Sequence, residues 1–220
     1  MERLPNPVND ADAVAKALRG LGFVEVIEVR DPDRASLEKA IKDFGDKAEQ
    51  ADWAVVFYAG HGMQMNGHTF LIPRDADFGS ERHVEFETVR LDRVLDSVAG
   101  AKKLALVIVD ACRNNPFLSR MIKAGRSVRA LGQGLAPIEP EQGQFVVYAT
   151  KDGSTAEDGA GDHSPFTQAL LMHISEAGLD IRLMFSEVRD SVLKITQNRQ
   201  NPFTYGSLPG EALYFKIAEQ

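Results

Sequence analysis

Two residues of this 220-residue chain have the chemistry and the setting of nucleophilic catalysis: Cys112, its only cysteine, and His61. Each follows a continuously apolar run. The first run is Trp53-Ala54-Val55-Val56-Phe57-Tyr58-Ala59-Gly60-His61-Gly62, and the second is Leu104-Ala105-Leu106-Val107-Ile108-Val109-Asp110-Ala111-Cys112-Arg113. A thiol attacks as the thiolate, and a neighbouring imidazole lowers its pKa and then protonates the leaving amine. The resulting tetrahedral oxyanion needs amide donors. Gly62 has no side chain to keep its N–H at a distance, and the N–H of Cys112 is the natural second donor. A lone Cys after an apolar strand is otherwise a small buried hydrophobe, and a lone His is usually structural. The pairing of the two at strand ends, with glycines around the His, favours chemistry.

These residues need strands to carry them. The runs 53–59 and 104–109 read as buried strands of a parallel sheet covered by helices on both faces. A third buried strand is expected over 144–149. The alternation in 23–29 predicts another strand, and short ones are expected over 68–72 and 212–217. Helices are expected from a cap at Asn9 or Asp10 to Leu21, from a cap at Ser36 to about Gln50, and over 89–98. Two more are expected, from Pro165 with Ser164 as cap to about Glu176, and from Asp180 through Ile195. Gly60-His61-Gly62 reads as an exit turn, and 74–87, 150–164 and 201–210 read as loops. Strands alternating with helices give an α/β fold with a mostly parallel sheet, whose active site lies beyond the carboxyl ends of the strands. His61 and Cys112 both fall there.

Composition narrows the function classes. A hydrophobic content of 44% and a charged content of 26% suit a soluble globular protein with a full core in one domain. A net charge of −7 argues against a nucleic-acid surface and favours a basic partner, if any. No apolar run is long enough to span a membrane, and the first residues do not resemble a signal peptide. One cysteine precludes an internal disulfide, so a reducing, cytoplasmic location is expected. The Gly132-Gln133-Gly134 stretch follows no strand and lacks a third glycine, so it predicts no dinucleotide site. His61, His68 and His83 lack zinc-site spacing.

The stretches Tyr58-Ala59-Gly60-His61-Gly62 and Asp110-Ala111-Cys112-Arg113 resemble the caspase-like cysteine peptidases, in particular the bacterial metacaspase-like (orthocaspase) branch. Asn6-Pro7-Val8-Asn9-Asp10-Ala11, Tyr148-Ala149-Thr150-Lys151-Asp152-Gly153, His163-Ser164-Pro165-Phe166-Thr167 and Asn201-Pro202-Phe203 extend the likeness over nearly the whole chain. The resemblance implies a three-layer caspase-like sandwich. Its large-subunit-like part is 1–116, its linker 117–144 and its small-subunit-like part 145–220. It implies His61 as general base and acid, Cys112 as nucleophile, and the amides of Gly62 and Cys112 as oxyanion donors. Asp110 stands where caspases have Gln. With Asp10 it is expected to floor a specificity pocket for Arg or Lys. Ala149, Thr150 and Lys151 are expected to pair with an extended substrate.

Further expectations follow from the same likeness. Arg120, Lys123, Arg126 and Arg129 in the linker are candidate self-cleavage sites. No resident cofactor is expected. Calcium activation is an option through Asp75, Asp77, Glu81, Glu85 and Glu87, a stretch that reads more simply as a solvated acidic loop. Ala59 replaces a Ser common in metacaspases. The family's first central strand, which precedes the Asn-Pro-Val-Asn-Asp stretch, has only Met1 to Pro5 in its place. Either the chain is truncated there or the strand is replaced, for instance by one from a second molecule, and association, a homodimer included, or altered pairing is expected. The competing class is a catalytically inactive or N-terminally truncated caspase-like scaffold that binds partners or self-associates.

Overall fold

The computed structural model describes residues 4–78, 81–112, 143–151, 158–159 and 161–218. Helix α1 is Pro7–Gly20 and α2 is Arg34–Ala48. Strand β1, Trp53–Met65, turns through Asn66 and Gly67 into β2, His68–Leu71. Then come the short helix α3 (Val84–Glu87), β3 (Val89–Arg90) and α4 (Leu91–Val98). Strands β4 (Leu104–Cys112) and β5 (Gln144–Tyr148) flank the linker. Helices α5 (Pro165–His173) and α6 (Ile181–Ile195) and strand β6 (Phe203–Gly206) complete the described chain. No described helix is long and apolar enough to cross a membrane.

The sheet order is β3-β2-β1-β4-β5-β6. Strands β1, β4 and β5 are parallel to one another, whereas β2, β3 and β6 join antiparallel, so the parallel character is confined to the centre. Alternate residues of β4 face opposite layers, as a period of two requires. Leu104, Leu106 and Ile108 pack with α1, α5 and α6. Ala105, Val107, Val109 and Ala111 pack with α2 and α4.

Capping accounts for several shifted boundaries. Pro7 occupies the first turn of α1, where its missing N–H costs nothing, so the helix begins ahead of Asp10. Asp10 is therefore not a cap; its carboxylate is left for the site. Asp33, not Ser36, caps α2 by accepting the Ser36 N–H at 2.8 Å. Ser164 and Asp180 cap α5 and α6 as their residue types predict.

Four expectations are corrected. The 60–62 stretch is no exit turn, because β1 continues to Met65 and pairs with β2. The 89–98 helix begins at Leu91, since Val89 and Arg90 pair with β2. The last ladder strand is β6, in the expected loop 201–210, while 212–217 forms only an isolated bridge from Tyr214 to Asp180. Segment 23–29 joins no ladder; its alternation is satisfied by packing at one end and ion pairing along its length. Phe23 stacks edge-on against Trp53 with ring centroids 6.3 Å apart. Glu25 pairs with Lys47, and Glu28 pairs with Arg19 and Arg30. Val24, Ile27 and Val29 remain exposed.

Candidate active site

The parallel register of β1 and β4 aligns Ala59 with Asp110, Gly60 with Ala111 and His61 with Cys112. Backbones of neighbouring strands run about 4.8 Å apart, so positions 61 and 112 stand side by side, where β4 ends and β1 passes on to pair with β2. The Ile72 N–H donates to the His61 C=O at 3.0 Å, which makes 61 and 72 a hydrogen-bonded pair of the β1–β2 ladder. Gly62 and Leu71 are then a non-bonded pair, so the Gly62 amide points away from β2, to the side where β4 reaches Cys112.

Gly60 has φ +155°, and a Cβ there would lie 3.0 Å from the Tyr58 hydroxyl. That hydroxyl donates to the His61 C=O at 2.7 Å and so braces the backbone carrying the imidazole. Burial pushes the Tyr58 phenol far above its ordinary range, so it stays a donor.

Period two on β4 turns Asp110 toward the layer of α1 and α5. It is 7% exposed, and Asp10 on α1 is 1% exposed. The Ser164 hydroxyl donates to Asp110 Oδ2 at 2.5 Å and the Thr167 hydroxyl to the same oxygen at 3.0 Å. The Ser164 N–H donates to both oxygens of Asp10, at 3.3 and 3.4 Å. His163 Nδ1 lies 2.9 Å from Asp10 Oδ1. Ser164 thus links the two carboxylates while capping α5 through the Thr167 N–H, which donates to its hydroxyl at 2.9 Å.

Burial pushes the Asp110 carboxyl up to about 7; the bond from Ser164 opposes this, and the negative charges of Asp10 and Asp158 add to it. Burial likewise raises Asp10 to about 6 against the pull of His163 and the Ser164 N–H. A third carboxylate, Asp158, is raised by burial and drawn back by the Asn6 N–H and the charge of His61. Its carbonyl accepts the Asn6 side-chain amide at 2.5 Å, which is why Asn6 does not cap α1. Asp158 therefore lies within electrostatic reach of both the carboxylate pair and the imidazole.

Ala149 and Thr150 are buried, and Lys151 is exposed. The Ala149 N–H donates to the Val109 C=O at 2.9 Å, its carbonyl accepts the Gln200 side chain at 2.9 Å, and the Lys151 N–H donates to the Asn201 C=O at 2.8 Å. Those groups are engaged within the fold, which takes them out of the set offered to a substrate strand. Asp75 accepts the Arg34 N–H at 2.9 Å, and no group of three or more His, Cys, Asp or Glu among the described residues is placed to hold a metal. Linker residues Arg120, Lys123, Arg126 and Arg129 lie outside the described residues.

Sequence reasoning singled out His61, Cys112, Asp10 and Asp110, but it missed the groups that orient the carboxylates. The Ser164 and Thr167 hydroxyls were readable only as a helix start. Asn6, Asp158 and His163 carried no spacing signal, because the contacts that give them meaning span 152 to 154 residues.

A comparison with solved structures finds caspase-1 from Spodoptera frugiperda with a TM-score of 0.70 and 18% identity. The match covers 99% of this chain and 84% of that one, and it shows the shared fold. A search of curated proteins returns no match. The family model of the caspase domain matches residues 1–213. With that match over almost its full length, and with a mixed sheet whose two central strands set His61 beside Cys112, the chain belongs to the caspase domain family of cysteine peptidases, peptidase family C14.

Proposed function

We propose that this chain is an endopeptidase of the orthocaspase kind that cleaves after Arg or Lys, with Cys112 as nucleophile and His61 as its base and acid. The Cys112 thiolate adds to the scissile carbonyl carbon, and the amides of Gly62 and Cys112 receive the oxyanion. His61 gives its proton to the departing amine, leaving a thioester that water hydrolyses with His61 as base.

The observation that carries basic specificity is the pair Asp10 and Asp110. Both are buried and both titrate upward, and the negative charge of Asp10 makes that of Asp110 harder to form. A guanidinium or ammonium entering the pocket supplies a counter-charge to Asp110, whose partners are the Ser164 and Thr167 hydroxyls, and adds to that of His163 at Asp10. An acidic side chain there would instead add a further like charge. The test is turnover of fluorogenic peptides carrying Arg, Lys or Asp before the cleaved bond, with and without calcium. Cleavage after Arg and Lys is expected; cleavage only after Asp refutes the pocket assignment. A second reading, a partner-binding scaffold, is favoured by the edge of β1 from Trp53 to Ala59, which among the described residues pairs with β4 alone. Absence of turnover together with failure of an Arg-chloromethylketone to label Cys112 would select it.

A further inference from the structure

Helices α5 and α6 meet at a cluster that the peptidase site does not use. His173 is the last residue of α5, and its ring lies between two oxygen groups. Its Nδ1 is 2.6 Å from Glu176 Oε1, and its Nε2 is 2.9 Å from the Ser191 hydroxyl on α6. The Glu176 N–H donates to the His173 C=O at 3.0 Å, a turn that folds the glutamate back beside the ring. A carboxylate only accepts, so in the neutral imidazole the proton sits on Nδ1. Nε2 then presents its lone pair, and the Ser191 hydroxyl donates to it. Hydroxyls on helices commonly donate instead to the carbonyl one turn back. Ser186 does so, to the Arg182 C=O at 3.0 Å, and Thr196 at the helix end does so, to the Val192 C=O at 2.8 Å. The His173 side chain is 16% exposed, Ser191 is half-buried and Glu176 is exposed, so the cluster opens to solvent.

We infer that Ser191 is a modification site: a base-activated serine that takes an acyl group from an ester with a good leaving group. A hydroxyl within hydrogen-bond reach of a base, which is itself oriented by a third group, is the arrangement that activates a nucleophile. Ser191, His173 and Glu176 fill those roles in that order. In the step, Ser191 Oγ bonds to the acyl carbon while the bond from that carbon to the leaving oxygen breaks. The hydroxyl proton passes to His173 Nε2 and leaves with the departing alcohol, so nothing is oxidised or reduced. Ser191 lies inside α6, where its own N–H is committed to the helix ladder and does not serve an oxyanion. The donor must therefore bring its own activation, and the ester, once formed, hydrolyses slowly. Such a site suits lasting acylation rather than a second hydrolytic activity. The inference is independent of the peptidase reading, since it uses none of the residues assigned to the peptidase.

Ser186 is a control within the same molecule, because it is exposed on the same helix with its hydroxyl bonded to a backbone carbonyl. Trypsin separates the two serines: 183–189 carries Ser186 as its only hydroxyl, and 190–194 carries Ser191 as its only one. The probe is p-nitrophenyl acetate, applied near neutral pH to the full chain carrying Cys112→Ala so that the thiol takes no acyl group. Mass spectrometry then reads acetylation of the two peptides. Ser191 should be acetylated about tenfold more than Ser186 or better, the low end of what a positioned base supplies. His173→Gln should bring the ratio close to one. Glu176→Gln alters a side chain that is 48% exposed, so the fold is kept, and it should lower the ratio about threefold or more. A ratio near one in the parent would overturn the proposal. So would a ratio that His173→Gln and Glu176→Gln both leave unchanged.

Discussion

Strands β1 and β4 are neighbours, run in the same direction and are both apolar almost throughout, yet they live in different surroundings. Every residue of β4 from Leu104 to Ala111 is at most 7% exposed. Over 53–60 of β1, Ala54 alone is buried. Helices cover both faces of both strands; the difference is lateral. β4 has β1 on one side and β5 on the other, whereas the lower half of β1 has only β4. Burial of a strand is thus set by its flanks as much as by its own side chains. Position 112 ends the strand paired on both sides, and position 61 lies on the strand that over 53–60 is paired on one side among the described residues.

The largest expected effects come from the strand ends. Cys112→Ala and His61→Ala should each reduce turnover of an Arg peptide by roughly a thousandfold or more, and the double variant should lose little beyond either single one, since the two act as a unit. Additive losses in steady-state kinetics would separate the two strands functionally.

Asp110→Asn on β4 keeps the acceptor for Ser164 and Thr167 but removes the charge. Turnover of Arg and Lys peptides should fall about a hundredfold. Stability moves the other way. The folded Asp110 carboxyl titrates near 7 against an ordinary 3.8, so its contribution is fully present below about pH 4 and lost as pH rises through 7. The variant should therefore be more stable than the parent at pH 8, by up to about 4 kcal/mol, with the two converging near pH 4. Urea unfolding of both proteins across that range measures it; a stability difference between variant and parent that stays constant from pH 4 to 8 would contradict the buried-pair assignment.

Identical truncations on the two strands give a direct comparison. Val107→Ala on β4 opens a cavity in closed packing and should cost about 2–3 kcal/mol. Val55→Ala at a half-buried position of β1 should cost less than about 1 kcal/mol. Equal costs in urea unfolding would mean that the flank of β1 is closed in solution. The smallest effect is in calcium: omission from the assay should change the rate by less than about twofold, since the acidic stretch reads as a solvated surface.

The two central strands were legible as strands because continuous apolar runs lead into His-Gly and Asp-Ala-Cys, but the expected burial holds for β4 alone, since 53–60 of β1 is buried only at Ala54. Helix caps Ser164 and Asp180 were legible for the same local reason. Segment 23–29 misled because alternation reports that one face is apolar, not that a ladder partner exists. Strand β6 was missed because its burial is slight and its pairing with β5 is remote in sequence. The role of Asp10 could be named from resemblance, but its partners Ser164 and His163 emerge only when α1 and α5 pack.

The β4–β5 ladder pairs Ala105 through Val109 with Gln144 through Tyr148, on either side of residues 113–142. A hydrolysed bond anywhere in that interval leaves the two fragments zipped along five register pairs and sharing one apolar core. Cutting the chain and parting the molecule are therefore separate events here. A nicked form would migrate as two bands under denaturing conditions yet elute as one species when native, and molecular size alone would not distinguish a processed enzyme from its precursor.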